Sequence, residues 1–114
     1  MANYNSHQIL VNEILVALSK SPLIRVWANN TGTAKSFDGE RVIKFGLSGS
    51  ADILGIIGPS GKYIAIECKT GNTIQSASQK NFSKMITDRG GIYIIARTVL
   101  DTLKAVNDSR FLAV

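Results

Sequence analysis

Residues 58–61 read Gly-Pro-Ser-Gly, and this turn constrains the fold most because it separates two apolar runs rich in β-forming residues. The runs cover residues 51–57 and 62–69, so the sequence predicts two antiparallel strands joined as a β-hairpin. Pairing the strands about the centre of the turn places Asp52 opposite Glu67. Two neighbouring carboxylates repel each other unless a cation lies between them. The hairpin therefore predicts a cation site as well as a sheet.

Helical spacing of apolar residues appears at three places in the chain. Residues 6–20 form the first such pattern, with Ser6 placed to cap the helix. The second covers residues 74–88, where Gln79 lies three positions before Phe82 and on the same side. A short last helix is expected over residues 99–106.

Three more strands are expected outside the hairpin. Residues 23–28 are rich in β-formers, residues 41–45 read as a short strand in a Gly- and Ser-containing stretch, and residues 92–96 are continuously apolar. The last run is typical of a strand buried on both faces. A helix precedes it, so the hairpin's second strand and residues 92–96 should be parallel neighbours in a mixed sheet. Without the short strand, the order α-β-β-β-α-β-α predicts an α/β (or α+β) fold, a mixed sheet flanked by helices.

Charge and length limit the classes of function. The chain has 114 residues, enough for one domain over residues 1–114, and 13 Lys and Arg against 8 Asp and Glu give a net charge of +5. Such a chain attracts anionic partners, with nucleic acid ahead of a membrane surface. A single cysteine excludes an internal disulfide, and there is no signal-peptide pattern and no apolar run of about 20 residues. We therefore expect a cytoplasmic protein with no membrane partner.

The candidate reaction centre lies at the end of the second hairpin strand. Glu67 and Lys69 are two residues apart and project from the same face, beside Asp52 of the first strand. Hard oxygen ligands with no His or Cys cluster favour Mg²⁺ or Mn²⁺ over zinc. Such an ion serves phosphodiester hydrolysis, in which Lys69 would position water or stabilise developing charge. The alternatives are a turn or cap role for Asp52 and a same-face salt bridge between Glu67 and Lys69.

Glu13 is a third candidate acid. It lies four residues from Ile9 and from Ala17, and three from Leu10, on the helix face expected to pack against the sheet. A buried glutamate needs a partner. The alternative is a narrow apolar stripe that leaves Glu13 at its margin.

These residues carry a resemblance to a known group of enzymes. Asp52, fourteen residues and then Glu67-Cys68-Lys69 resemble the PD-(D/E)XK nuclease motif, with Ala51 where a proline is usual. Four blocks in order, over roughly residues 6–100, are similar to the VRR-NUC family, the virus-type replication-repair nucleases found alone in phages and within larger DNA-repair enzymes. The blocks are GSADILG at 49–55, IECKTG at 66–71, SQKNF at 78–82 and GGIY at 90–93.

The resemblance implies a restriction-endonuclease-like core and a role for each matching residue. Asp52 and Glu67 would bind Mg²⁺ or Mn²⁺ together with the backbone carbonyl of Cys68. Lys69 would be the catalytic lysine. The resemblance further implies that Glu13 completes the metal site, directly or through water, and that Gln79 orients Lys69 or the substrate.

The function implied is that of a metal-dependent DNA endonuclease acting on branched or duplex DNA, Holliday junctions included, as a homodimer. It would be a phage protein in a bacterial host. The alternatives are a non-catalytic nucleic-acid-binding module on the same fold and a structural phage protein. The basic residues expected to contact DNA are Lys35, Arg41, Lys44 and Lys80.

Three further residues are expected to have structural roles. His7 should be a helix-start residue, with a general-base role as the alternative. Trp27 should lie in the core or at a dimer interface. Cys68 should have a small, buried side chain.

Overall fold

The computed structural model describes residues 5–112 of the chain, and the side chains of residues 5–109. The helices are α1 (Ser6–Ser19), α2 (Ala77–Asp88) and α3 (Val99–Leu112). The strands are β1 (Ile24–Ala28), β2 (Gly32–Lys35), β3 (Val42–Phe45), β4 (Ile53–Ile57), β5 (Lys62–Cys68) and β6 (Ile92–Ala96).

The main sheet has four strands in the order β1-β4-β5-β6. β1, β4 and β5 are antiparallel neighbours, while β5 and β6 run parallel because α2 carries the chain back across the sheet. The parallel pair confirms the crossover expected from the sequence. The chain is therefore a mixed α/β structure in which helices flank a mixed sheet.

The register of the β4–β5 hairpin is the one predicted from its turn. Ile53 pairs with Ile66, and Ile57 pairs with Lys62. Continuing this register by one residue places Asp52 opposite Glu67, at the end of the hairpin farthest from the turn. The two carboxylates therefore meet where β5 ends.

The sheet is covered on both faces, but by unequal layers. Helices α1 and α3 pack on one face, where the largest fully buried side chains include Ile14, Leu18 and Ile64. Helix α2 packs on the other face, where Phe82 is buried with Ala51 and Ala65. This second layer covers the β5–β6 side and leaves side chains of β1 and the far end of β4 exposed.

The predicted element order is wrong at one point. The short strand expected over residues 41–45 is present as β3, but it pairs with the unpredicted strand β2 in a separate two-stranded sheet. Every residue of β2 and β3 is exposed. No burial acts on this hairpin to impose an apolar and polar alternation, which explains why the sequence pattern missed β2.

Two helix starts differ slightly from the prediction. Helix α1 is capped by Asn5, whose side chain accepts a hydrogen bond from the His7 amide, rather than by Ser6. Helix α2 begins at Ala77 because Ser76 and Gln79 form a capping box. Within the described residues, no helix is both long enough and apolar enough to cross a membrane.

Candidate active site

The end of β5 presents an acid and a base on the same face. Glu67 is almost fully buried, with 3% of its surface exposed, and its Oε1 lies 3.7 Å from Nζ of Lys69. Lys69 stays aligned because its main-chain amide donates to the carbonyl of Ala96, which prolongs the β5–β6 pairing by one residue. Extended backbone places residues two apart on one face, as the sequence predicted.

Gln79 joins this acid and this base from helix α2. Its Oε1 accepts a hydrogen bond from Lys69 Nζ at 2.8 Å, and its Nε2 donates to Glu67 Oε1 at 2.9 Å. The same Oε1 accepts from the main-chain amide of Ser76 at 2.9 Å, within the capping box. One amide side chain therefore caps the helix and holds both functional groups of β5.

Asp52 approaches from the neighbouring strand with one oxygen already engaged. Its Oδ2 accepts a hydrogen bond from the Cys68 amide at 2.8 Å and lies 3.2 Å from Nε2 of His7. The main-chain carbonyl of Asp52 accepts a hydrogen bond from the main-chain N–H of Asn29, and the side-chain Nδ2 of Asn29 donates to the carbonyl of Ala51. These contacts leave Oδ1 as the carboxylate oxygen available to a ligand.

A glycine allows the segment before Asp52 to pass close to helix α2. Gly49 has a φ of +80°, and a Cβ at this position would lie 2.4 Å from the carbonyl oxygen of Ser78. A side chain is excluded both by the backbone conformation and by the space. The approach brings the entry to β4 next to the first turn of the helix that carries Gln79.

The environment disfavours a charge on Glu67. Burial and the neighbouring Asp52 carboxylate together raise the pKa of Glu67 from 4.5 to about 7, and Lys69 opposes this shift only partly. Glu67 Oε2 is buried and has no hydrogen-bond partner among the described residues. A buried oxygen without a partner, beside a second carboxylate, is the arrangement that a bound cation would stabilise.

The donors present suit a hard cation. The carboxylates of Asp52 and Glu67 and the main-chain carbonyl of Cys68 are oxygen ligands of the type that Mg²⁺ and Mn²⁺ take. Among residues 5–109, no three His, Cys, Asp or Glu side chains form a metal-binding group. The remaining coordination positions would have to be filled by water or substrate, which is usual for Mg²⁺.

Comparison with known proteins adds no assignment. No protein-family model matches the chain, and no curated protein matches it significantly.

The expectation that Glu13 lies on the buried face of α1 is wrong. Its side chain is exposed, and it lines a shallow hollow with Ala17, Lys20 and Val99. The buried stripe runs through Leu10, Val11, Ile14 and Leu18. At about 100° per residue, Glu13 points away from Ile14. The structure therefore does not bring Glu13 to Asp52 and Glu67.

His7 is the residue of α1 that reaches the site instead. It lies one turn before the buried Val11, and it lines a cleft of about 210 Å³ together with Asp52 and Asn29. The sequence signal was weak because a lone histidine in a first helical turn is ordinary. Asn29 was missed for the same reason, since asparagine is common in loops.

The four basic residues expected to contact DNA are all exposed. Lys35 and Lys44 lie in the β2–β3 hairpin, where Lys44 pairs with Thr33 and Lys35 pairs with Val42. These successive pairs are two residues apart along each strand, so both lysines lie on one face. Arg41 precedes β3, and Lys80 follows Gln79 on α2.

The thiol of Cys68 takes no part in this site. The side chain is 1% exposed and belongs to the core beneath α1 and α3, on the opposite face from Glu67. Burial, with a smaller contribution from the Asp52 and Glu67 charges, raises the pKa of Cys68 to about 12. Only its main-chain groups are available to the site.

Proposed function

We propose that the chain is a metal-dependent DNA endonuclease of the PD-(D/E)XK superfamily, similar to stand-alone VRR-NUC nucleases and built on a restriction-endonuclease-like core. One observation carries this proposal. The buried Glu67 carboxylate, with Oε2 lacking a partner among the described residues, lies beside Asp52 and is linked through Gln79 to Lys69. Two acids that can hold a divalent cation, with a lysine that can stabilise negative charge, suit metal-assisted phosphodiester hydrolysis.

Asp52, Glu67 and the carbonyl of Cys68 would hold one Mg²⁺ or Mn²⁺ ion. When bound, this ion would polarise the scissile phosphate and lower the pKa of a water molecule. The chain's own contribution is orientation. The Cys68 amide and His7 fix one oxygen of Asp52, while Gln79 fixes Oε1 of Glu67 and the ammonium group of Lys69.

Lys69 supplies a positive charge at the reacting phosphate. Its side chain is only 12% exposed, so little water screens the charge. Nζ can donate to the attacking water or to the phosphate oxygens, whose negative charge increases in the transition state. Gln79 accepts one of the three protons of Nζ and thereby directs the other two.

The net charge of +5 supports a polyanionic substrate. Lys35 and Lys44 together present positive charge on one face of the β2–β3 hairpin. Along the chain, this hairpin comes between β1 and β4, just before Asp52. We propose branched or duplex DNA as the substrate and a homodimer as the active form, because twofold symmetry places two active sites on paired strands.

The proposal is tested by incubating the chain with labelled four-way, nicked and linear DNA in the presence of Mg²⁺ or Mn²⁺. We expect Asp52→Asn and Lys69→Ala each to slow cleavage by about 100-fold or more. Lys104→Ala, an exposed substitution on α3, should cleave as the wild type does. Cleavage that survives both site substitutions contradicts the site. Binding of DNA without cleavage under either metal identifies a non-catalytic binding module.

A further inference from the structure

The β2–β3 hairpin, residues 32–45, is an arm that packs against no other helix or strand extensively in the part of the chain that the structure describes. All its strand residues are exposed, and it makes no extensive packing contact with another helix or strand within residues 5–112. A two-stranded hairpin alone is only marginally stable in water. Such an arm is expected to gain stability from a second surface.

The two faces of the arm differ in chemistry. One face carries Lys35 and Lys44, as described above. The opposite face carries Ala34, Ile43 and Phe45, because Ala34 pairs with Ile43 and Gly32 pairs with Phe45. The basic face suits DNA, whereas the apolar face suits a protein surface.

The tip of the arm also indicates a protein rather than DNA. Phe37 is fully exposed there, and the neighbouring Asp38 and Glu40 are exposed carboxylates. Asp38 is held charged by hydrogen bonds from Ser36 and from the Glu40 amide, which lower its pKa. Arg41 follows directly and is also exposed, so residues 36–41 carry two negative charges and one positive charge beside the aromatic ring. The net negative charge of the tip is complementary to a positively charged, partly apolar surface.

The same chain offers a surface of that kind. A groove of about 500 Å³ lies beside β1 and β4, lined by Leu23, Ile56 and Pro59 together with Ser19 and Ser21. Among the described residues that line it, Arg25 is the one with a charge. Trp27, 46% exposed, extends the apolar surface along β1 on the face that α2 leaves uncovered. Outside the arm the chain carries ten Lys and Arg against six Asp and Glu, so it attracts an acidic tip.

We propose that the arm of one copy of this chain docks in the β1–β4 groove of a second copy. Phe37 inserts between Leu23 and Ile56, and Glu40 pairs with Arg25. A twofold axis lets each copy donate one arm and receive one, which satisfies both surfaces and closes the assembly. The interface rests on the homodimer proposed above and assigns its contacts; it does not use Asp52, Glu67 or Lys69, so molecular mass and cleavage are separate readouts. It leaves Lys35 and Lys44 facing outward.

Light scattering on the full chain tests the interface. We expect a mass of about twice 12.3 kDa for the wild type and a monomer mass for Phe37→Ser and for Arg25→Glu. Glu40→Arg should also be monomeric, and the double variant Arg25→Glu with Glu40→Arg should recover the dimer, since the two charges are exchanged. Lys104→Glu makes the same charge change on exposed α3 and should remain dimeric.

The competing outcomes are distinct. A monomeric wild type overturns both this interface and the homodimer proposed above, whereas a dimer that survives both Phe37→Ser and Arg25→Glu overturns the interface alone. Failure of the charge exchange to restore the dimer overturns the pairing of Glu40 with Arg25. Circular dichroism identifies any variant that has not folded. If Arg25→Glu does not fold, the mass of Phe37→Ser tests the interface, because Phe37 is fully exposed and its replacement should not disturb the fold. If Phe37→Ser remains dimeric and instead loses binding to labelled DNA in a fluorescence anisotropy assay, the interface is overturned and the arm tip is a DNA contact.

Discussion

Nε2 of His7 lies 3.2 Å from Oδ2 of Asp52, the same oxygen that accepts a hydrogen bond from the Cys68 amide. The contact ties the first turn of α1 to the β4–β5 hairpin at the point where the two acids meet. It makes His7, and not Glu13, the contribution of α1 to the site.

Replacing His7 should weaken metal binding. The Asp52 carboxylate loses one of its two orienting contacts in His7→Ala, and the loss of such a partner typically costs about 10- to 100-fold in metal affinity. Isothermal titration with Mn²⁺ measures this directly, without reference to cleavage. Glu13→Gln on the same helix is the matched control and should bind Mn²⁺ as the wild type does. The reverse result, with Glu13→Gln weakened and His7→Ala unchanged, would contradict this account of α1.

Variants of Gln79 and Ser76 distinguish the role of Gln79 as a helix cap from its role in the site. Ser76→Ala removes half of the capping box and should lower the free energy of unfolding by about 1 kcal/mol. Gln79→Ala removes the other half and should cost more, because it also leaves the buried Oε1 of Glu67 without this hydrogen bond. Only Gln79→Ala also releases Lys69 and Oε1 of Glu67, so only this variant should slow cleavage strongly. Urea unfolding and cleavage rates measure the two effects. Equal rates in the two variants would show that Gln79 acts only as a cap.

The stability of the metal-free chain should fall as pH rises through the range that Glu67 controls. The folded chain holds the Glu67 proton up to its pKa of about 7, whereas the unfolded chain loses it near 4.5. The folded state binds more protons in between, so the free energy of unfolding decreases from about pH 4.5 to pH 7 and stays lower above that. The decrease amounts to at most about 3 kcal/mol.

Urea unfolding in the presence of a chelator, at pH 5 and at pH 8, measures this loss. Glu67→Gln cannot ionise and should show a smaller decrease, with higher stability than the wild type at pH 8. Glu13→Gln, at an exposed carboxylate outside the site and the proposed interface, should keep the full decrease. If Glu67→Gln shows the same pH dependence as the wild type, Glu67 is not the group responsible.

The thiol of Cys68 should resist modification in the folded chain. It is buried, and its pKa is raised to about 12, so the reactive thiolate is scarce at neutral pH. A maleimide or disulfide reagent should react rapidly only after unfolding in urea, as followed by mass spectrometry. Rapid labelling of the native chain would mean that the end of β5 opens far more often than its packing indicates.

Lys35 and Lys44 should govern the salt dependence of DNA binding. Each phosphate contact contributes about −0.9 to the slope of log affinity against log salt. The double variant Lys35→Ala with Lys44→Ala should therefore have a slope shallower by about 2. Fluorescence anisotropy of labelled DNA across a salt series provides the measurement, with Lys104→Ala as control. An unchanged slope would exclude this face of the arm from DNA contact.

The sequence predicted the β4–β5 hairpin well because local turn chemistry sets its register. The Gly-Pro-Ser-Gly turn lies between two runs of similar length, so pairing about its centre gave the observed match of Ile53 with Ile66. The parallel β5–β6 pair followed from the intervening helix. In both cases the determining residues are close in sequence or belong to one continuous element.

Predictions failed where distant packing decides. Glu13 was placed on a buried face because Ile9 and Ala17 were counted in the apolar stripe, yet Ile9 is 40% exposed and the stripe is centred on Ile14. His7 and Asp52 are 45 residues apart in the sequence, so no local pattern predicts their contact. Strand β2 has no buried face, so its sequence shows no alternation of apolar and polar residues from which a strand could be predicted.

The double use of Gln79 links the site to the fraying of a helix end. First turns of helices open and close without global unfolding, and each opening at Ala77 would release the amide group that holds Lys69 and Glu67. The assembled site thus exists only in the fraction of molecules whose α2 is closed at its first turn. Helix–coil equilibrium at one terminus then becomes a thermal control on the population of competent molecules.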